Sequence, residues 1–376
     1  MTVTLLERHG FSFQLASTEQ DQAVANLLND NAIPGWISLS YRTQPGLHRP
    51  MRRDAYSHTV IGLRLSDGLA GGVASRSYYP CFLAGRPASI GWLNQLRIAP
   101  RFRNRPHLLR SGFDAIDALP ACPRLTPPAA PWSLASVIAD NRTARRILEA
   151  NIEGFPRFDP LFDYRVFAIA ARKAHLPPFV RRAAIEDQAA IMGFLNTQNR
   201  DRDLAPRLTS VDELFHGWAG LSIHDFLIYE RAGEICGVIA VWDQLPFRSM
   251  HVVGYQQPLA RLRPLVNLVA RPTGLPRLPP PGQDLRQVYL TLLTTAKDDA
   301  EVMQALVLAA LSLAKQKGAE LAVIGLAESD PLAPLLQRNF RHRSYDSTIY
   351  RICRQDKLNP AFMSSFHRPK VEIGLL

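Results

Sequence analysis

Cysteine is scarce in this 376-residue chain: four residues, Cys81, Cys122, Cys236 and Cys353, with no CxxC pair. Such scattering offers neither a disulfide framework nor a zinc-ligand set. It reads as reduced, buried thiols in a cytoplasmic protein. Long apolar runs are missing too. The longest, such as Ala305–Ala314, are too short to cross a bilayer, so no membrane partner is expected. The opening MTVTLLERHGF has no basic segment followed by an apolar one, and no secretion signal is read from it. His9, His48, His58 and His107 lack metal-ligand spacing, and no metal site is expected. Lysine is nearly absent: six residues, at 173, 297, 315, 317, 357 and 370, among 44 basic ones. A GC-rich coding genome produces the same arginine bias, which therefore carries no argument for nucleic acid.

What remains is the composition of an ordinary soluble globular protein, 47% hydrophobic and 20% charged. The length favours two domains over one. The net charge of +11 is uneven. Residues 1–176 hold 21 basic against 13 acidic side chains, the remainder 23 against 20. The excess of cations favours anionic partners, phosphorylated cofactors included, in the first half. Arginine-rich nucleic-acid binding is the weaker reading, because basic and aromatic residues are not interleaved.

Periodicity predicts strands at 11–15, 59–65, 73–83, 89–98, 133–139 and 164–171. Helices are expected at 19–29 with Thr18 as N-cap, 107–119, and 141–151. The segment RKAHLPPF, 172–179, interrupts all periodicity and marks a domain boundary. The second half repeats the order: strands at 179–182, 226–229, 234–242, 288–293, 321–326 and 347–352, with helices at 185–197, 298–317 and 331–338. A proline-rich linker is read at 272–281. The ending VEIGLL, 371–376, alternates like an edge strand. The matching order suggests an old duplication.

The run LRIAPRFRNRPHLL, Leu96–Leu109, carries most chemistry. A strand broken at Pro100, a basic turn and a helix start form a place where backbone N–H groups and the helix dipole hold phosphate. Arg101, Arg103 and Arg105 bind phosphate or form a solvated turn. His107 contacts phosphate or caps. Asn141 is an N-cap, a role compatible with a ligand contact. Tyr41, Arg42, Tyr56, Tyr78 and Tyr79 line an acceptor pocket or simply pack. Arg142, Arg145 and Arg146 form a basic helix face. Arg8–His9–Gly10 matches a phosphohistidine tripeptide but precedes the first expected strand, a chance match.

Three pieces together resemble the GNAT superfamily of N-acetyltransferases: IAPRFRNR (98–105), NRTARRIL (141–148) and GFPRFDPLFDYRVFAI (154–169). The resemblance implies an α/β fold of two GNAT-like domains in tandem, each a mixed, mostly antiparallel sheet flanked by helices. Residues 1–175 would form the coenzyme A-binding domain and 176–376 a degenerate copy. It further implies acetyl-CoA held between two splayed parallel strands. Backbone groups of Leu96, Arg97 and Ile98 would pair with pantetheine. The turn holding Arg103, Asn104, Arg105, His107 and Leu108 would cradle the pyrophosphate, with Asn141 facing the cofactor arm. The acceptor would be a small-molecule or peptide amine.

The sequence departs from the family pattern at several points. Pro106 and Leu108 replace the small residues of the phosphate turn, and the position of the thiolate-protonating tyrosine is Leu148. The strand offers Asn94 and Gln95 but no carboxylate, so no catalytic acid or base is assigned. In the second half TTAKDDAEV places two aspartates where phosphate donors belong. The leading expectation is an acetyl-CoA-dependent N-acetyltransferase. The alternative is a non-catalytic protein that keeps the fold and at most CoA binding.

Overall fold

In the computed structural model residues 3–33, 35–43, 57–119, 129–210, 218–273, 277–354 and 366–376 are described. His48, Tyr56 and Cys122, and parts of the expected proline-rich segments and of the tail, lie outside them. The first half supplies β1 (Thr4–Arg8), β2 (Phe11–Leu15), α1 (Asp21–Asn29), β3 (Ile37–Thr43), β4 (Ser57–Arg64), β5 (Ala70–Leu83) and β6 (Arg86–Ile98). It continues with α2 (Pro106–Asp117), β7 (Ala129–Ile138), α3 (Arg142–Leu148) and β8 (Arg157–Ala170). The second half supplies β9 (Val180–Arg182), α4 (Gln188–Asn199), β10 (Phe226–Arg231), β11 (Glu234–Trp242), β12 (Arg248–Tyr255) and α5 (Leu259–Thr273). After these come β13 (Gln287–Thr295), α6 (Ala300–Gln316), β14 (Leu321–Ala327), α7 (Ala333–Asn339) and β15 (His342–Cys353).

Thirteen strands form one sheet among the described residues, in the order β1-β2-β4-β5-β6-β7-β15-β8-β14-β13-β11-β10-β9. Pairing is antiparallel except at β6/β7 and β13/β14. The chain's last strand, β15, lies between β7 and β8 of the first half. It pairs with β7 over Ser347–Ile352 and with β8 over His342–Cys353. This is the mixed α/β, mostly antiparallel architecture expected, extended through both halves without a break.

Sheet alternation sorts the apolar side chains to two faces. On the outer face α1 and α2 cover Phe11, Ile61 and Leu93, while α6 covers Ile239, Leu290 and Ile324. On the inner face Trp92, Leu134, Tyr164, Ile228 and Trp242 pack with Ile191 and Leu195 of α4 and with Val371 and Ile373. Pro106 opens α2 at its first position, where the missing N–H costs no helical bond. Asp299 caps α6, accepting from Glu301 N at 2.9 Å and Val302 N at 3.1 Å.

Several expectations need correction. Ser17, not Thr18, closes the first helical turn, its N–H donating to Gln20 Oε1 at 2.6 Å. Helix α5 runs through Pro272 to Thr273, so the proline-rich stretch begins as helix. The segment 371–376 is no edge strand: Lys370–Ile373 are buried. Tyr164 reaches Val371 O at 2.9 Å through space that any side chain at Gly325 would fill.

The loop ends of β13 and β14 are tied by a buried ion network. Arg202 (8% exposed side chain) meets Asp330 (2%) at 2.8 Å and also pairs with Asp298, which Arg368 of the tail holds as well. Removing one partner of such a pair strands a buried charge. Arg202→Met is therefore expected to lower unfolding free energy by about 3 kcal/mol, measured by denaturant titration. A loss below about 1 kcal/mol would show that the network adds little.

Candidate functional site

β6 and β7 pair only at Ser89↔Ala129, Gly91↔Ser133 and Trp92↔Leu134. Gly91 permits this approach, since a Cβ there would stand 2.6 Å from Ser133 Oγ. Beyond Trp92 the ladder stops and the strands part into a V. On its β6 wall the register against β5 slips between Ser75↔Asn94 and Val73↔Arg97, and Gln95 takes φ 55°. This is a β-bulge, which turns backbone groups out of the ladder beside the opening.

The second half repeats this geometry residue for residue. β13 and β14 pair at Val288↔Ala322 and Tyr289↔Val323 and then part. The register against β11 slips between Ala240↔Thr291 and Val238↔Thr294, with Leu292 at φ 55°. Asn94 thus corresponds to Thr291, Gln95 to Leu292 and Arg97 to Thr294. This second bulge is occupied from within the chain. Glu372 Oε2 accepts from Thr291 Oγ1 at 2.8 Å and from Leu292 N at 3.0 Å. Lys370 Nζ donates to Thr294 Oγ1 at 2.6 Å, Leu293 O at 2.9 Å and Asn199 Oδ1 at 3.2 Å. Burial pulls the Lys370 ammonium down to about 8, against the opposing pull of Glu372.

In the first half Leu96, Arg97 and Ile98 lie on the β6 wall. Leu96 and Ile98 lean on the outer core. Arg97 Nη1 donates to Leu96 O at 2.9 Å, and burial lowers its pKa. The turn that follows is tighter than expected. Phe102 N bonds Ala99 O at 2.8 Å, Arg103 N Pro100 O at 3.4 Å, Arg105 N Phe102 O at 3.1 Å and Leu108 N Arg105 O at 3.0 Å. These four N–H groups are not the unpaired donors anticipated: the 3₁₀ turn over Pro100–Phe102, the residues after it and the first turn of α2 use them. Arg103 Nη2 donates to Asn31 Oδ1 at 2.9 Å, and the Arg105 guanidinium lies 5.3 Å from the Phe102 ring centre. Arg105 and Asn104 are exposed, His107 half-buried and 5.2 Å from the His9 ring, and Leu108 buried in the outer core. Asn141 caps α3 at the exit of β7, accepting from Ala144 N at 3.2 Å. Arg8–His9–Gly10 is only the turn of the β1–β2 hairpin.

At the bulge a polar ladder crosses three strands. Ser57 and Ser77 hydroxyls stand 3.0 Å apart, and Asn94 Nδ2 donates to Ser77 Oγ at 3.4 Å. Thr59 and Ser75 stand 2.9 Å apart, and Ser75 donates to Gln95 Oε1 at 3.1 Å. Asn94 Oδ1 is buried without a hydrogen-bond partner among the described residues. Ser57 and Ser77 open onto an inner-face cavity of about 100 Å³, walled by Tyr78, Trp92, Trp218 and Trp242. Its second-half wall includes Arg248, bonded to Gln244 Oε1 at 2.9 Å and to Gly374 O at 2.9 Å. Among the described residues, Glu372 is the one acidic side chain lining it.

Of the tyrosines expected at an acceptor pocket, Tyr78 and Tyr79 line this cavity, and Tyr41 lies under Arg248 at 5.8 Å. The serine pairs, Arg248 and Glu372 escaped sequence reasoning. The alternation Ser57/Thr59 against Ser75/Ser77 was the one signal that would have found the ladder.

No protein-family model matches the chain, and neither does any curated protein sequence. Solved structures do match. The N-myristoyltransferase of Saccharomyces cerevisiae with bound myristoyl-CoA superposes with a TM-score of 0.61, covering 98% of this chain and 86% of that one at 10% identity. A GCN5-related N-acetyltransferase from Sphaerobacter thermophilus gives 0.53, with 98% and 99% coverage at 11% identity. The chain has the GNAT fold in its tandem form.

The folded Lys370 loses its proton near pH 8 and the unfolded one near the ordinary lysine value of 10.5. Between these values the unfolded state binds more protons, so folding stability gains from rising pH. The contribution is about 3 kcal/mol over the window. Denaturation at stepped pH checks it: the difference between wild type and Lys370→Met should shift in favour of wild type from pH 8 to 10. A flat difference would place Lys370 outside this account.

Proposed function

We propose that this chain is an acyl-CoA-dependent N-acyltransferase working in the β6/β7 cleft, with acetyl as the transferred group and a primary amine as acceptor. One observation carries the reading: the same bulged V occurs twice, and among the described residues only the second is filled by the chain's own side chains, Glu372 and Lys370. In the second V an N–H at the bulge holds a carboxylate oxygen, the kind of group that stabilises charge developing on an acyl oxygen. The relatives in structure support a CoA thioester, since one is described with bound myristoyl-CoA and another as an N-acetyltransferase. We assign residues 1–175 to the working unit, 176–376 to its partner copy, and the whole to the cytoplasm.

In this reading Leu96, Arg97 and Ile98 pair with the pantetheine arm through their backbone. Arg103, Asn104, Arg105 and His107 face the pyrophosphate through side chains, because four of the turn's N–H groups, those of Phe102, Arg103, Arg105 and Leu108, are bonded internally. Leu108 anchors the turn in the core, and Asn141 stands across the opening. Asn94, with a buried acceptor oxygen, orients the amine. The amine nitrogen attacks the thioester carbon, the C–S bond breaks, and the thiolate leaves. Glu372 takes the amine's proton, directly or through water, and the thiolate regains one from solvent.

The internal bonding of the turn, with Pro106 lacking an N–H, favours a second reading: a CoA-binding protein without turnover. Calorimetric titration of CoA and acetyl-CoA separates the cases. Binding is expected, weakened ten- to a hundredfold, or about 1–3 kcal/mol, in Arg103→Ala/Arg105→Ala. Failure of the parent to bind would overturn the proposal. Binding without thiol release across an amine panel would favour the second reading. Where turnover is found, Glu372→Gln should lower kcat by about a hundredfold with little change in KM for acetyl-CoA.

A further inference from the structure

Helix α5 leaves the sheet between β12 and β13 and keeps an apolar stripe in solvent. Leu262, Leu265 and Leu268 are 44%, 60% and 73% exposed. At three-residue spacing they share one side of the helix. The opposite side is fixed. Asn267 Nδ2 donates to Leu278 O at 2.9 Å and Asn267 Oδ1 accepts from Leu278 N at 2.7 Å. Ala270 is wholly buried, and Tyr255 OH donates to Pro279 O at 2.5 Å. The leucines are therefore held outward by the same contacts that seat the helix.

The charge around the stripe has one sign. From Gln256 to Gln283 there is no acidic residue but four arginines, 261, 263, 271 and 277, in a chain with 33 acids elsewhere. Arg261 is exposed beside the leucines. The next acid, Asp284, is already engaged by His251 at 2.9 Å. Aliphatic stripe, flanking arginine and absent acid together describe a helix that lies in a headgroup layer.

We infer that α5 docks this protein on an anionic lipid surface, with Leu262, Leu265 and Leu268 in the acyl boundary and the exposed Arg261 among phosphates. The Arg261 stem snorkels along the stripe while its head stays in the headgroup region. The expectation of no membrane partner rested on the lack of a spanning run, and no helix of the described residues is long and apolar enough to cross. Lying on a surface requires no such run. The inference is independent of the acyltransferase proposal.

The test is vesicle flotation of the full chain. With phosphatidylcholine–phosphatidylserine vesicles the protein should float, less so with phosphatidylcholine alone, and less as salt rises. Leu265→Glu/Leu268→Glu changes only exposed positions, so its melting temperature should match wild type. Its bound fraction should fall at least about tenfold. No flotation of wild type on the anionic vesicles, or equal flotation of the variant, would overturn the inference. So would a wild-type dimer in solution that the double variant converts to monomer without any vesicle binding, since the stripe would then be a protein contact.

Discussion

The place of β15 is the constraint on which the rest of the structure depends. Without it β7 would keep only three residue pairs to β6 and would present a bare edge where β8 should begin. Its side chains reach into both halves. Arg145 Nε of α3 donates to the Tyr350 hydroxyl at 3.1 Å, which itself bonds Glu149. Just past its end, Arg354 pairs with Asp114 at 2.6 Å and with Asp117 on α2. Closing the first half thus waits for the last strand, and the V between β6 and β7 exists only in the finished sheet. Contacts of such sequence separation require long loops to close, which slows folding.

The same closure delivers the tail to the second V. Once β15 has crossed the sheet, residues 366–376 return along the inner face, where Tyr164 and Arg248 hold their carbonyls. Lys370 and Glu372 then meet the bulge of β13. Two copies of one geometry end in different electrostatic states. The second opening has a carboxylate at its bulge and Asp298 and Asp330 bridged at its mouth by Arg202. Its cations, Arg202, Arg368 and Lys370, are already matched by these three carboxylates and leave no excess positive charge for an anionic ligand. The first opening is flanked by Arg97, Arg103 and Arg105 in the half that carries most of the net positive charge. The electrostatic difference, more than the backbone, separates the two.

Much of this was legible in the sequence where one physical signal dominated. Val73–Leu83, Ser89–Ile98 and Ala300–Gln316 read correctly because each is a long, largely buried apolar segment bounded by turn or capping residues. Asn141 read correctly as a cap because capping is local. The elements missed were those whose signal is tertiary. β3 and β12 pair with each other in a separate two-stranded sheet, and nothing local announces their partner. α5 was hidden by Pro264 and Pro272 and by leucines that face water, so its pattern follows no core. The tail alternates like a strand yet lies buried without pairing as one, since the ladder positions it would need were already taken. The turn after β6 could be placed but not its donors: whether an N–H is spare depends on a 3₁₀ bond geometry that the letters PRFRNRP do not express.

The filled cleft bears on the open one. If Glu372 were replaced in evolution by a neutral side chain, the bulge N–H of Leu292 and the hydroxyl of Thr291 would lose their anion, and Lys370 would remain as a buried cation without its closest counter-charge. The pair therefore serves the second half's own stability. Yet Glu372 also forms part of the cavity that Ser57, Ser77 and Trp92 enter from the first half. A carboxylate fixed by one copy for packing reasons stands on the wall of a chamber shared with the other. The first copy's strand carries Asn94 and Gln95 where a base would be useful, and under the proposed chemistry it has no need of its own. Under that proposal the second half holds the group that the first half lacks.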